Sequence, residues 1–119
     1  MGLRELRKKL TVTVDELDDQ RLQERFHGLG LTEICSIVPR QPTRVGGEVN
    51  RTRLLPRSGV PAVEITVCDG TGNVVALFTG RRRVAGLEQG RAVLLEGVPF
   101  HDHGKLMLLN PAYTLLPSH

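Results

Sequence analysis

The sequence has no tryptophan, three phenylalanines and one tyrosine among 119 residues. So few rings exclude a long ladder of stacked aromatic side chains, and any core must be filled with Val, Leu and Ile. No apolar run approaches the roughly 20 residues of a membrane-spanning helix. The longest, at 74–78 and 106–109, are the size of strands. The basic start, Met1-Gly2-Leu3-Arg4-Glu5-Leu6-Arg7-Lys8-Lys9, leads into no apolar segment, and Leu6 stands where a myristoylation signal carries Ser or Thr. Neither secretion nor lipid anchoring nor a membrane partner is therefore expected. Cys35 and Cys68 lack CxxC spacing, so no zinc site and no disulfide framework is expected, and a reducing cytoplasm is the expected setting. A GxxxxGK[ST] loop is missing too, which excludes an ATP-driven motor.

Positive charge is present in one chemical form. Of 16 basic residues 13 are Arg, against 13 Asp plus Glu, for a formal charge of +3. Either a GC-rich genome or selection for guanidinium chemistry accounts for the bias, and a polyanion is a reasonable partner. In residues 1–30 the charge is segregated. Arg4, Arg7, Lys8 and Lys9 come first, then Asp15, Glu16, Asp18 and Asp19. Val14, Leu17, Leu22, Phe26 and Leu29 fall close to helical spacing, with Asp15 placed to cap and Gly28 or Gly30 placed to stop. One amphipathic helix is predicted there, its apolar stripe packed on the remainder of the chain.

From Thr32 onward Pro and Gly punctuate short segments, and no helical period returns. Residues 34–38 fit either a strand or a single helical turn. A long first strand is predicted over 43–55, with Gly46-Gly47 as the place for a bend or bulge that lets it serve two sheets. Residues 56–61 read as a loop. Residues 62–68 alternate, with Val63, Ile65 and Val67 on one face and Glu64, Thr66 and Cys68 on the other, as in a half-buried strand. Asp69-Gly70-Thr71-Gly72 predicts a hairpin turn whose glycines take positive φ, leading into a third strand over 73–79. Gly80 to Gly86 is a basic link. A fourth strand is predicted over 91–98, a loop over 99–104 and a fifth strand over 105–109, after which Asn110-Pro111 ends or kinks the chain before 113–116. These pieces fit a mainly β fold, a five-stranded Greek-key barrel preceded by an N-terminal amphipathic helix. Residues 1–31 form the basic segment and helix, and residues 32–119 the barrel, within one compact domain.

The run Val63-Glu64-Ile65-Thr66-Val67-Cys68-Asp69-Gly70-Thr71-Gly72-Asn73-Val74-Val75-Ala76-Leu77-Phe78, followed by Leu87-Glu88-Gln89-Gly90, Leu95-Glu96-Gly97-Val98, Gly104-Lys105-Leu106-Met107 and Asn110-Pro111-Ala112-Tyr113, resembles an OB-fold nucleic-acid-binding domain. It is similar to the wedge domain of the helicase RecG and to anticodon-binding OB domains. With Gly80-Arg81-Arg82-Arg83 it is closer still to small stand-alone OB-fold proteins of actinobacterial type. The resemblance spans roughly residues 43–116. It implies a ligand surface on strands two and three, flanked by the loops between strands one and two and between strands four and five.

Single-strand binders need a positive groove to follow phosphates and flat side chains on which bases stack. Residues 39–83 carry eight arginines against Glu48, Glu64 and Asp69. Arg44, Arg51, Arg53, Arg57, Arg81, Arg82 and Arg83 are the candidate phosphate contacts, with His103 and Lys105 on the later loop. Phe78 is the candidate stacking residue if strand three turns Val75 and Leu77 inward. The opposite register would bury it, because that strand is apolar on both faces. Tyr113 and Phe100 are weaker candidates, and Phe26 belongs to helix packing. His101-Asp102-His103 lacks a third and fourth partner for a metal. No nucleophile, base or paired acid emerges and Asp69 reads as a turn residue, so catalytic residues, metal ligands and cofactors are all expected to be absent. The expected function is non-enzymatic binding of single-stranded or partly unpaired nucleic acid, DNA or RNA with DNA favoured, at low sequence specificity. The alternative is a protein-interaction module docking on a larger DNA or RNA processing complex, with a partner in repair or replication.

Overall fold

A computed structural model describes residues 3–117, with side chains described except at 3–13, 15 and 57. Helix α1 (Leu3–Phe26) and a 3-10 turn at Ile34–Ser36 precede seven strands: β1 (Thr43–Arg57), β2 (Val60–Cys68), β3 (Asn73–Thr79), β4 (Ala92–Gly97), β5 (Pro99–Asp102), β6 (Lys105–Leu109) and β7 (Ala112–Leu115). They form one curled sheet in the order β5-β6-β3-β2-β1-β4-β7. Among the described residues, no helix is long and apolar enough to cross a membrane.

Strand β1 does serve two partners. Its first half pairs with β4 from Thr43 to Glu48, and its second half pairs with β2 from Glu48 to Arg57. The bulge falls between Val49 and Arg51, however, and not at the glycine pair. The two glycines serve close approach instead. A Cβ on Gly47 would lie 2.5 Å from the Cys68 carbonyl oxygen, and one on Gly46 would lie 2.7 Å from Leu31 and 3.0 Å from Phe26. Residues 56–61 are not an open loop either. Ser58 and Gly59 both take positive φ, 53° and 78°, and close a two-residue hairpin with strand pairing up to Arg57 and Val60.

The count of seven strands corrects the expected five. Pro99 to Asp102 is a strand and not a loop: the chain bends at Val98, so that β4 pairs with β1 while its continuation β5 pairs with β6. Likewise Asn110 (φ 45°) and Pro111 divide the last segment, giving β6 parallel to β3 and β7 antiparallel to β4. Both edges of the sheet are thus continuations of strands inside it. Pro99 opens an edge strand, where its missing N–H costs no ladder bond.

The alternation of β2 predicts its buried face. Val63, Ile65 and Val67 lie opposite Phe78, Ala76 and Val74, and all six are in the core. Val75 and Leu77 point to the other face and pack with Ala62, Met107 and Phe100 in a second cluster. Val84 and Leu87, three residues apart in the link 80–91, fold back onto the main core. Fully burying each such side chain contributes roughly 1.5 to 3 kcal/mol, which is how a core with one fully interior ring holds.

Helix α1 begins twelve residues before Asp15, so Asp15 lies within it and does not cap it. It ends before Gly28, whose φ of 79° turns the chain out of the helix. The expected single stripe divides. Leu22 and Phe26 pack on Ala92, Leu31 and Leu116, while Val14 and Leu17 are 63% and 60% exposed and Leu29 lies beyond the helix, also exposed. The reason is the five-residue step from Leu17 to Leu22, about 500° of helical rotation, which moves to a different face. The docked half is fixed to the point where β1 changes partner: Arg21 and Arg25 reach Glu48 at 2.8 and 2.6 Å.

Candidate nucleic-acid interface

Strand direction sorts the predicted residues into two ends. The β1–β2 hairpin and the exit of β3 lie at one end of the sheet, because Ala62 pairs with Thr79 and Arg57 with Val60. The Asp69 turn and the start of β6 lie at the other, because Val75 pairs with Met107 in parallel register.

At the hairpin end, Arg53 from β1 and Arg82 and Arg83 from the link rim one groove of about 310 Å³ with Thr52, Leu54 and Glu88. Its apolar floor is made by Val63 and Ile65 of β2 and by Val84 and Leu87, which hold the link down and so carry the arginines to the rim. All three arginines are exposed. Among the described residues, Arg83 alone of the three forms an ion pair, with Glu88 at 4.0 Å and both side chains about four-fifths exposed, and such a pair contributes little in water. Arg51 stands opposite Thr66 and Arg53 opposite Glu64 on the outward face. Arg81 stands 6.0 Å above the Phe78 ring. The Arg57 side chain lies outside the described residues.

Three predicted residues fall elsewhere. Arg44 is about 30 Å of extended chain from Arg53. It pairs with Glu96 at 3.3 Å, beside β4. His103 lies in the β5–β6 turn and Lys105 opens β6, about 20 Å along β3 from the link. There His103 contacts Asp102 at 3.5 Å.

Phe78 does not stack. It is 2% exposed and faces the core opposite Val63, with Tyr113 edge-on at 5.7 Å. Its register was open in the sequence because β3 is apolar on both faces, and pairing with β2 decides it. Tyr113 donates to the Ala85 carbonyl at 3.4 Å, Phe100 packs on the second cluster, and Phe26 is under the helix. Among the described residues, then, no aromatic ring is fully exposed. The arrangement can hold phosphates by charge but offers no open platform for bases.

At the Asp69 end the carboxylate is answered by the protein. Asp69 is 5% exposed and accepts from the Ile34 N–H at 2.9 Å and from the Thr71 N–H and hydroxyl at 2.8 and 2.6 Å, with Gly72 N–H at 3.3 Å. Only Gly70 of the two turn glycines takes positive φ. Burial pushes the Cys68 thiol above its ordinary pKa. No group of three His, Cys, Asp or Glu side chains able to hold a metal occurs among the described residues.

Sequence reading missed the groove itself. The signal was Val84 and Leu87, apolar residues in an otherwise basic and glycine-rich link, which show that the link packs down on the barrel.

The second OB-fold domain of replication protein A from Methanococcus maripaludis has a similar structure, with a TM-score of 0.58 at 12% identity over 71% of this chain and 93% of that one. At that identity the likeness is one of fold, and the fold is that of an OB domain. No protein-family model matches the chain. No curated protein matches it in sequence.

Proposed function

We propose that this chain is a non-enzymatic nucleic-acid-binding protein that grips the phosphates of single-stranded or partly unpaired strands, with little regard to base. The observation that carries the reading is the groove, whose lining includes Arg53, Arg82 and Arg83 and one carboxylate, Glu88, that is weakly engaged. Arg51 and Arg81 extend that positive surface. His103 and Lys105 are a separate contact at the far end of the sheet, and Arg44 and Phe78 are not part of the site. The OB fold of the archaeal replication protein domain supports a nucleic-acid ligand in kind. The preference for DNA over RNA rests on the sequence resemblance to the RecG wedge alone.

Without exposed rings, affinity comes from counterion release, and each phosphate held on a single strand contributes about 0.7 to the slope of log K against log salt. Arg53→Ala, Arg82→Ala and Arg83→Ala together should weaken oligonucleotide binding and flatten that slope by about 2 units. Fluorescence anisotropy over a salt series, with DNA and RNA oligomers of equal length, measures both. Unchanged affinity and slope in the triple variant remove the site, and tighter RNA binding removes the DNA preference.

A second reading, docking on a larger DNA or RNA processing complex, is favoured by the exposed Val14 and Leu17 of α1. Retention of one specific protein after nuclease treatment, with no oligonucleotide affinity at about 150 mM salt, would select it.

A further inference from the structure

Strand β1 has a neighbour on each side only at its start. Strand β4 pairs with it from Thr43 to Glu48, and the link closes the next step, where the Val49 N–H donates to the Arg91 carbonyl at 2.9 Å and the Val49 carbonyl accepts from the Gly90 N–H at 2.8 Å. From Arg51 to Arg57 its strand partner is β2 alone, among the described residues. Two prolines show which groups face the bare side. The Pro61 carbonyl accepts from the Gly80 N–H at 2.8 Å on the β3 side, so Pro56, directly opposite Pro61, turns its own carbonyl away from β2. Alternation along the strand turns the N–H and C=O of Leu54 and Thr52 the same way.

Thr52 and Leu54 line the groove, and the link forms its other wall with Arg82 and Arg83. Two main-chain donors and two acceptors, one strand repeat of about 6.6 Å apart, therefore open into it beside the guanidiniums. Leu54, opposite Val63 and 60% exposed, adds an apolar side chain at the same place. A phosphate can accept from the two N–H groups but meets the two carbonyl oxygens with charge of the same sign. A peptide backbone answers both kinds of group, and an extended one answers them at this spacing. Charge then selects among peptides. Arg51, Arg53, Arg82 and Arg83 outnumber Glu64 and Glu88, which favours an acidic segment. The same charge opposes a second copy of β1, which would bring Arg51 and Arg53 alongside their own counterparts.

We propose that the open edge of β1 captures an extended acidic segment of a partner protein as an added strand, hydrogen-bonded to Thr52 and Leu54. Alternate side chains of that segment fall on the two faces, acids beside Arg51 and Arg53 and apolar ones beside Leu54. Capture requires no nucleic acid. Because phosphates and the segment both use Arg53, Arg82 and Arg83, the two ligands exclude one another, a consequence that rests on the phosphate-binding reading as well.

The probe is an eight-residue peptide of alternating Glu and Val, blocked at both ends and fluorescently labelled, titrated with the full chain after nuclease treatment. It should bind saturably and slow hydrogen exchange at the Thr52 and Leu54 amides. An added strand bonds along one of its edges, so of two peptides, one methylated at the Glu backbone nitrogens and one at the Val, a single one should bind at least about tenfold more weakly. Leu54→Pro removes an edge N–H without removing a ladder bond or a charge and should also weaken binding at least about tenfold, with circular dichroism checking the fold. No binding of the peptide, equal affinities of the two methylated forms, or a folded Leu54→Pro chain that binds as the wild type does would each overturn the capture. Oligonucleotide binding is measured on the same protein. A chain that binds the oligonucleotide and not the peptide loses the edge and keeps its phosphate site, and the reverse result keeps the edge and removes the phosphate site.

Discussion

The two ends of the sheet are built from the same residue types and treat charge in opposite ways. At the end where the helix docks, Glu48 holds two arginines within 2.8 Å and Asp69 accepts four hydrogen bonds. At the hairpin end, Arg53 and Arg82 rim an open groove and Arg83 faces Glu88 across 4.0 Å of solvated space. The difference lies in burial. A carboxylate taken from water must be answered by the protein, whereas an arginine left in water can be answered by a ligand. Charge at the helix end therefore belongs to stability, and charge at the hairpin end is left to solvent.

Asp69→Ala is the most severe way to break the first half of that contrast. It strands the N–H groups of Ile34 and Thr71 in a buried turn and should cost about 3 kcal/mol in chemical denaturation. The folded fraction should keep its oligonucleotide affinity, since the groove is at the far end. A parallel loss of affinity in folded protein would show that the ends are coupled.

Glu48→Gln sharpens the same half at a smaller scale. The Arg21 guanidinium, with Arg25 behind it, holds the Glu48 carboxyl below its ordinary value of 4.5 despite some burial. A group depressed in the folded state stabilises above its unfolded value, and the contribution is lost as pH falls from 4.5 through the folded value. Stability should therefore fall over that acid window in the wild-type chain, and less so in Glu48→Gln. At neutral pH the variant should lose about 1 kcal/mol, a figure reduced by the exposure of Arg21. Denaturation midpoints across pH for the two chains measure both effects.

How far the sequence discloses this depends on periodicity. The alternation of Val63, Ile65 and Val67 and the Asp69-Gly70 turn are enough for β2, β3 and their hairpin, because a period of two over seven residues admits one reading. Four-residue strands such as Pro99 to Asp102 carry too few positions for any period, and only their pairing with β6 reveals them. The helix shows its break in plain spacing, since the step from Leu17 to Leu22 leaves the stripe. The site is harder. Arg44 and Arg53 look alike along the chain, yet β1 changes partner between them, and that switch sends one to β4 and the other to the groove. Phe78 was undetermined for a similar reason: with apolar residues on both faces of β3, its direction is a property of the neighbouring strand.

Glu88 is the finest test of the second half of the contrast, because among the described residues it is the single carboxylate on the groove rim. At 79% exposure it contributes almost nothing to folding, so Glu88→Gln should leave the denaturation midpoint where it is. Its effect should appear in binding alone. Removing a negative charge 4.0 Å from Arg83 raises the potential that a phosphate meets, and oligonucleotide affinity at 0.15 M salt should rise about twofold. Near 1 M salt, where screening acts over roughly 3 Å, the gain should vanish. Anisotropy at the two salt concentrations measures it. A gain that persists at high salt would mean that Glu88 acts by shape and not by charge, and a loss of affinity would mean that it positions Arg83 for the ligand.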